Sequence, residues 1–249
     1  TTSRRSTTVP TPTTRHTGRL RGDPFGLGVA SGDPTADGIV LWTRLAPTPL
    51  SEGDRSGMPD DPVDVVWEIA IDDRFGSVVA RGAATAEPGA GHSVHVEVDG
   101  LDPATDHHYR FTVGEWTSPV GRTRTLAAPG ERPARFALAV ANCQLLDAGR
   151  YAAYRHMVDE DLDLVLHLGD YVYEYGGARA LPNRIPEGLD DWRLRYAAYR
   201  SDPDLRAAHA RFPFVCTWDD HEVENNYAGL SLPDDTPPEM VREMRVAAY

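Results

Sequence analysis

Three apolar runs without period-two alternation, Phe136–Ala141, Leu162–Leu168 and Phe212–Trp218, constrain this chain more than any other feature. Such runs read as strands covered on both faces, the condition of a parallel sheet. Helical patterns separate them. Gly149–Val158 is the first; Asp190–His209 is the second, with Trp192, Tyr196, Tyr199 and Leu205 at spacings compatible with one face and an interruption at Pro203. Strand, helix, strand, helix, strand predicts an α/β unit. A last helical pattern, Pro238–Tyr249, has no Gly or Asn cap, so the chain is expected to be cut off there rather than finished.

The first half follows another pattern. Gly38–Thr43, Val63–Ile69, Ser93–Val98 and Tyr109–Val113 alternate apolar and polar residues between Gly, Pro and Asp, which predicts strands. Several strands in about 100 residues fit a β-sandwich of immunoglobulin or fibronectin type III kind. Leu101-Asp102-Pro103 ahead of Tyr109 resembles the stretch before a late fibronectin strand, where a Tyr hydroxyl ties a corner to backbone. The prolines and glycine of Ala127–Pro133 break both helix and strand and mark a linker. The expected organisation is a disordered leader (1–23), a sandwich (24–126), a linker (127–133) and an α/β domain (134–249).

Each apolar run opens directly into a polar cluster: Asn142-Cys143-Gln144, Gly169-Asp170-Tyr171-Val172-Tyr173-Glu174, and Asp219-Asp220-His221-Glu222. In open parallel sheets ligands bind beyond the carboxyl ends of the strands, so the three clusters are expected to converge. Asp170 suits a bridge between two cations, with Gly169 allowing a tight turn; a plain cap is the alternative reading. Tyr173 offers a phenolate, a hard donor for a trivalent cation. Asp219, Asp220 and His221 place two carboxylates and an imidazole side by side, costly to bury without a metal or strong hydrogen bonds, though a solvated acidic turn would also have this composition. Cys143 is a metal ligand, a nucleophile or an inert buried thiol, and Cys216 reads as buried within its strand. Asn225 and Asn226 fit either a cation contact or a turn. His92, His95, His107 and His108 read as surface residues.

Composition excludes several classes. With 41% hydrophobic residues and no apolar run near the roughly 18 needed for a membrane span, no transmembrane segment is expected. A formal charge of -13 disfavours nonspecific nucleic-acid binding and suits cations. All 25 basic residues are Arg, which excludes a P-loop and leaves guanidinium, metal or backbone amides for phosphate contacts. Two cysteines permit one bridge at most, and Cys143–Cys216 is open if their strands are neighbours. Thr1–Thr17 reads as disordered, and Arg4-Arg5 resembles part of a twin-arginine signal without its hydrophobic region.

Taken with Gly28-Val29-Ala30-Ser31-Gly32-Asp33-Pro34 and Leu41-Trp42-Thr43-Arg44, these clusters resemble the alkaline phosphatase D, or PhoD-like phosphatase, family of the calcineurin-like metallophosphoesterases. The resemblance implies a truncated four-layer αββα catalytic domain after the sandwich, twin-arginine export to a secreted or periplasmic location, and hydrolysis of phosphate monoesters and diesters, phospholipids in some members. It implies a ferric ion, Fe(3+), with calcium, Ca(2+). Cys143, Asp170 and Tyr173 would be iron ligands, with Asp170 bridging. Asp220 takes the place of the Asn in the superfamily's Gly-Asn-His-Asp/Glu motif and His221 that of its His, and Asp219 and Asn225 complete the metal-ligand candidates. His221 and Asp170 are the catalytic candidates. The expected chemistry is metal-assisted displacement at phosphorus. The superfamily's later His and Asp ligands have no counterpart before Tyr249.

Two other readings compete. A metal-free hydrolase would use Cys143 as nucleophile and His221 as base, leaving Tyr173 and the tandem Asp residues without purpose. A non-enzyme would use the sandwich to bind a wall polymer or partner. The sequence sets no oligomeric state.

Overall fold

The protein is described from a computed structural model covering residues 20–53, 55–230 and 238–248. The leader reading over residues 1–19 lies outside the described residues. Strands β1 (Val29–Gly32), β2 (Gly38–Arg44), β3 (Val63–Ala70), β4 (Val78–Ala86), β5 (Ser93–Asp99), β6 (Asp106–Val113), β7 (Trp116–Thr117) and β8 (Gly121–Arg124) make up the first half. The second half runs β9 (Leu138–Ala141), α1 (Ala152–Met157), β10 (Leu164–Leu168), α2 (Leu189–Arg200), α3 (Pro203–Arg211), β11 (Pro213–Thr217) and α4 (Pro238–Ala248).

The alternating segments form the expected strands. Strand β6 buries every second residue, His107, Tyr109, Phe111 and Val113, because successive side chains of a strand point to opposite faces. Sheet β4-β3-β6-β7, extended by β8 on β6, packs against β5-β2-β1. Their shared core includes Val29, Leu41, Val65, Ile69, Val96 and Phe111. Each fully buried aliphatic or aromatic side chain there contributes roughly 1.5–3 kcal/mol.

Strands β9, β10 and β11 pair in parallel, as the order of elements predicts. Val165 lies between Ala139 and Phe214, and His167 between Ala141 and Cys216, so these residues share one face. Val165 and Phe214 belong to one core with Trp192, Tyr199 and Leu205 from α2 and α3. Pro203 ends the continuity of the helical segment, and Asp202 caps α3 by accepting from Asp204 N at 3.0 Å and Leu205 N at 3.2 Å.

The two halves share a sheet. β1 pairs in parallel with β11, Ser31 opposite Pro213 and Gly32 opposite Phe214, giving the order β5-β2-β1-β11-β10-β9. Arginines fasten the junction: Arg44 Nη1 donates to Arg193 O at 2.9 Å, while Arg200 Nη2 donates to Leu27 O at 3.1 Å and its guanidinium sits 4.8 Å from the Trp42 ring centroid.

Several expectations need correction. The apolar runs are not covered on both faces: Leu138 is 44% exposed and Val140 55%, because α1–α3 pack on the opposite side. His92 and His107 are buried rather than superficial; the pleat of β6 turns His107 inward. The Tyr109 hydroxyl is buried beside Ser31 and makes no hydrogen bond to a corner backbone. Cys216 is exposed in a cleft of about 690 Å³ that Trp42, Tyr196 and Arg200 also line. Both thiols are free, and β10 separates their strands.

Candidate metal centre

The three polar clusters leave β9, β10 and β11 at the same end of the sheet. Backbone geometry draws them together. Cys143 N donates to Gly169 O at 3.2 Å and Gln144 N to Asp170 O at 3.1 Å, joining the first loop to the second. Cys143 and Asp170 both take left-handed backbone conformations, φ 51° and 53°, uncommon for residues other than Gly and concentrated at functional sites. At Gly169, φ is 100° and a Cβ would stand 2.6 Å from Asp219 N, so only glycine lets the second and third loops approach this closely.

Asp170 is the hub. It is buried, its Oδ2 accepts from Tyr173 Oη at 3.0 Å, and its Oδ1 has no hydrogen-bond partner among the described residues. One ligand atom from each of Asp170, Asp220 and His221 falls within 4.8 Å of the others. The Cys143 thiol lies against Asp170 and Tyr173. Desolvation and then the Asp170 carboxylate push both the thiol and the phenol above their ordinary pKa values, so each keeps its proton unless a cation replaces it. An orphaned buried carboxylate oxygen beside a thiol, a phenol, a second carboxylate and an imidazole fits a cation site, since each of these groups is a metal donor when deprotonated or neutral.

A second layer holds these groups. Glu174 is completely buried; its Oε2 lies 2.8 Å from His221 Nδ1 and its Oε1 accepts from Asn225 N at 3.0 Å. Burial lowers the His221 pKa, but the Glu174 hydrogen bond and the neighbouring carboxylates outweigh it and the net shift is upward. The His221 ring packs 4.2 Å from that of Tyr173, centroid to centroid. Glu222, also buried, accepts from Tyr171 N and, at 2.8 Å, from Asp219 N.

Two family profiles match the chain, the PhoD-like phosphatase N-terminal domain over residues 10–127 and the PhoD-like phosphatase over residues 138–249. The chain belongs to the PhoD-like phosphatase family. It is 51% identical over 235 residues to alkaline phosphatase D of Bacillus subtilis (strain 168), an alignment that covers 91% of this chain and 40% of that protein. It superposes on the solved structure of PhoD with a TM-score of 0.89 and 48% identity, covering 93% of this chain and 46% of the other. The chain thus spans less than half of these relatives.

In this PhoD-like phosphatase chain, Cys143, Asp170, Tyr173, Asp220 and His221 gather in one place. Asp219 is exposed and flanks Cys143 electrostatically, while Asn225 enters through its backbone N–H. Sequence reasoning gave no role to Glu174, Glu222 or Gln144, which takes the Tyr154 hydroxyl on Oε1 at 2.5 Å and donates to Tyr171 O at 2.8 Å. Their signal was adjacency: each is next in sequence to a candidate site residue, at a position where burial of a polar group demands partners.

Proposed function

We propose that this chain supplies the first part of the active site of a metal-dependent phosphoester hydrolase acting on phosphate monoesters and diesters. Asp170 carries the reading: its Oδ1 is buried without a partner while Oδ2 is held by Tyr173. In this proposal Cys143, Asp170 and Tyr173 would hold a ferric ion, and Asp170 would be shared with a calcium site to which Asp219, Asp220 and Asn225 would contribute. The division into a sandwich at 24–126 and a catalytic unit from 134, the latter part of an αββα four-layer fold, belongs to the same proposal, as does export to a secreted or periplasmic location. Among the described residues, no helix is long and apolar enough to cross a membrane.

Bound there, the cations would supply Lewis-acid polarisation of the phosphoryl oxygens and activation of water. The chain's own residues do the rest. Asp170 and Asp220 bring negative charge that offsets the cations, and the left-handed turns at Cys143 and Asp170 fix the donor directions before substrate arrives. Glu174 holds His221 at Nδ1, leaving Nε2 to protonate the leaving oxygen or steady its developing charge. A cysteine nucleophile with His221 as base gains no support, because burial and then the Asp170 carboxylate raise the Cys143 pKa and disfavour the thiolate.

The test is Asp170→Asn in a full-length protein, assayed for bound metal and for turnover of p-nitrophenyl phosphate and bis(p-nitrophenyl) phosphate. Loss of both is expected. Unchanged turnover overturns the bridging role.

A further inference from the structure

Arg195 is fully buried in α2, and its N–H groups go to main-chain carbonyls rather than to a carboxylate. Nε donates to Leu181 O at 3.0 Å, Nη2 to Pro182 O at 2.7 Å and Arg184 O at 2.8 Å, and Nη1 to both Tyr173 O and Tyr175 O. A buried guanidinium is costly, and one whose N–H groups are taken by five carbonyls of one loop has its geometry over-determined. Four residues along the same helix face, the Tyr199 hydroxyl accepts from Tyr173 N at 3.2 Å and from Leu146 N at 3.4 Å. Helix α2 therefore grips the backbone of Tyr173 on both sides, at its N–H through Tyr199 and at its carbonyl through Arg195. The same hydroxyl also reaches the segment that follows Cys143. These are the two loops that bring the phenol and the thiol to Asp170.

We infer that Arg195 and Tyr199 are positioning residues that set the phenol of Tyr173, and with it the Asp170 carboxylate, at the geometry a cation needs. The inference rests on the metal reading above. It follows from the rigidity of the arrangement: the loop between β10 and α2 has no regular secondary structure over residues 169–188, so its donor geometry must be imposed from outside. Helix α2 is in turn fixed to the sandwich through Arg200 and through the carbonyl of Arg193, so the first half of the chain reaches the donors through one rigid rod.

The experiment compares wild type, Tyr199→Phe, Arg195→Lys and, as a control that weakens a remote core, Ile69→Ala. Two readouts are taken on the purified chain: uptake of ferric ion from ferric citrate, followed by the visible phenolate absorption, and amide hydrogen exchange of the metal-free peptide over residues 170–176. Tyr199→Phe and Arg195→Lys are expected to weaken ferric binding 10–100-fold, the range for partners that orient ligands. Exchange over residues 170–176 should accelerate by roughly two- to tenfold, the equivalent of losing one hydrogen bond, while Ile69→Ala changes neither. Unchanged binding and exchange in a folded Tyr199→Phe overturns the inference, as does an equal change in Ile69→Ala. Should Arg195→Lys not fold, Tyr199→Phe decides alone. A wild-type chain that takes up no ferric ion refutes the metal reading instead, and the exchange contrast then decides whether α2 holds the loop.

Discussion

Tyr173 donates its phenolic proton to Asp170 three residues before it, 3.0 Å away, and the two side chains meet across a turn that the left-handed backbone of Asp170 makes possible. The bond occupies one carboxylate oxygen and leaves the other free for a cation. In the proposed site, a cation taking the place of that proton would turn the pair from donor and acceptor into two ligands.

Tyr173→Phe therefore keeps the ring packing on His221 but removes the phenol. The variant should stay folded, losing about 0.5–1.5 kcal/mol for one hydrogen bond. The visible absorption on ferric loading should disappear, since no phenolate remains to give it. Absorbance of the loaded protein checks this, with circular dichroism as the folding control. A persistent band would assign it to another tyrosine, such as Tyr175.

Glu174→Gln should lower the pKa of His221. Burial of the ring already pulls the value down, and only the Glu174 bond and nearby carboxylates raise it. A raised folded pKa means stability fully present below the unfolded pKa and lost as pH rises through the folded value. That contribution should vanish in the variant. Imidazole shifts followed by NMR across a pH series on chelator-treated protein supply the measurement; a His221 titration unmoved by the substitution would remove Glu174 as the cause.

His167 is completely buried in β10 with neither ring nitrogen paired among the described residues, and burial lowers its pKa to about 4. The unfolded chain takes up that proton near pH 6.5 and the native state does not, so stability falls as pH drops from 6.5 toward 4. The loss is on the order of 3 kcal/mol from this residue, at 1.36 kcal/mol per pKa unit. Urea midpoints at pH 7 and pH 4.5 should differ less in His167→Phe than in wild type, and equal pH sensitivity would mean the ring is protonated in the folded protein.

Gly169→Ala places a methyl 2.6 Å from the Asp219 amide nitrogen at φ 100°. Stability should fall by more than about 1 kcal/mol, and the Asp219–His221 turn should withdraw from Asp170. Chemical denaturation and ferric uptake report the two effects separately.

The sequence made the sheet of the second half legible because its strands are apolar throughout and its turns are chemically marked. Pro203 predicted the break between α2 and α3 for the same local reason. Strand β4 escaped notice: after Val78-Val79 it runs Ala-Arg-Gly-Ala-Ala-Thr-Ala, small residues with weak strand preference that pair only because Val63–Ala70 lies alongside. At the site, Asp170, Tyr173 and His221 stood out by spacing. Glu174, Glu222 and Arg195 did not, because a charged residue in a sequence reads as exposed until the fold shows what surrounds it. His92 and His107 failed in the same direction.

The parallel pairing of Ser31 with Pro213 has a consequence for how the polypeptide is made. Near the start of the chain, β1 has β2 on one flank and must wait on the other for β11, synthesised long afterwards. Until then a nascent sandwich presents a bare ladder of backbone groups, the kind of edge that recruits foreign strands. Assembly cannot proceed strictly from the amino end; it closes only when the ribosome has released the segment that also delivers Asp219, Asp220 and His221.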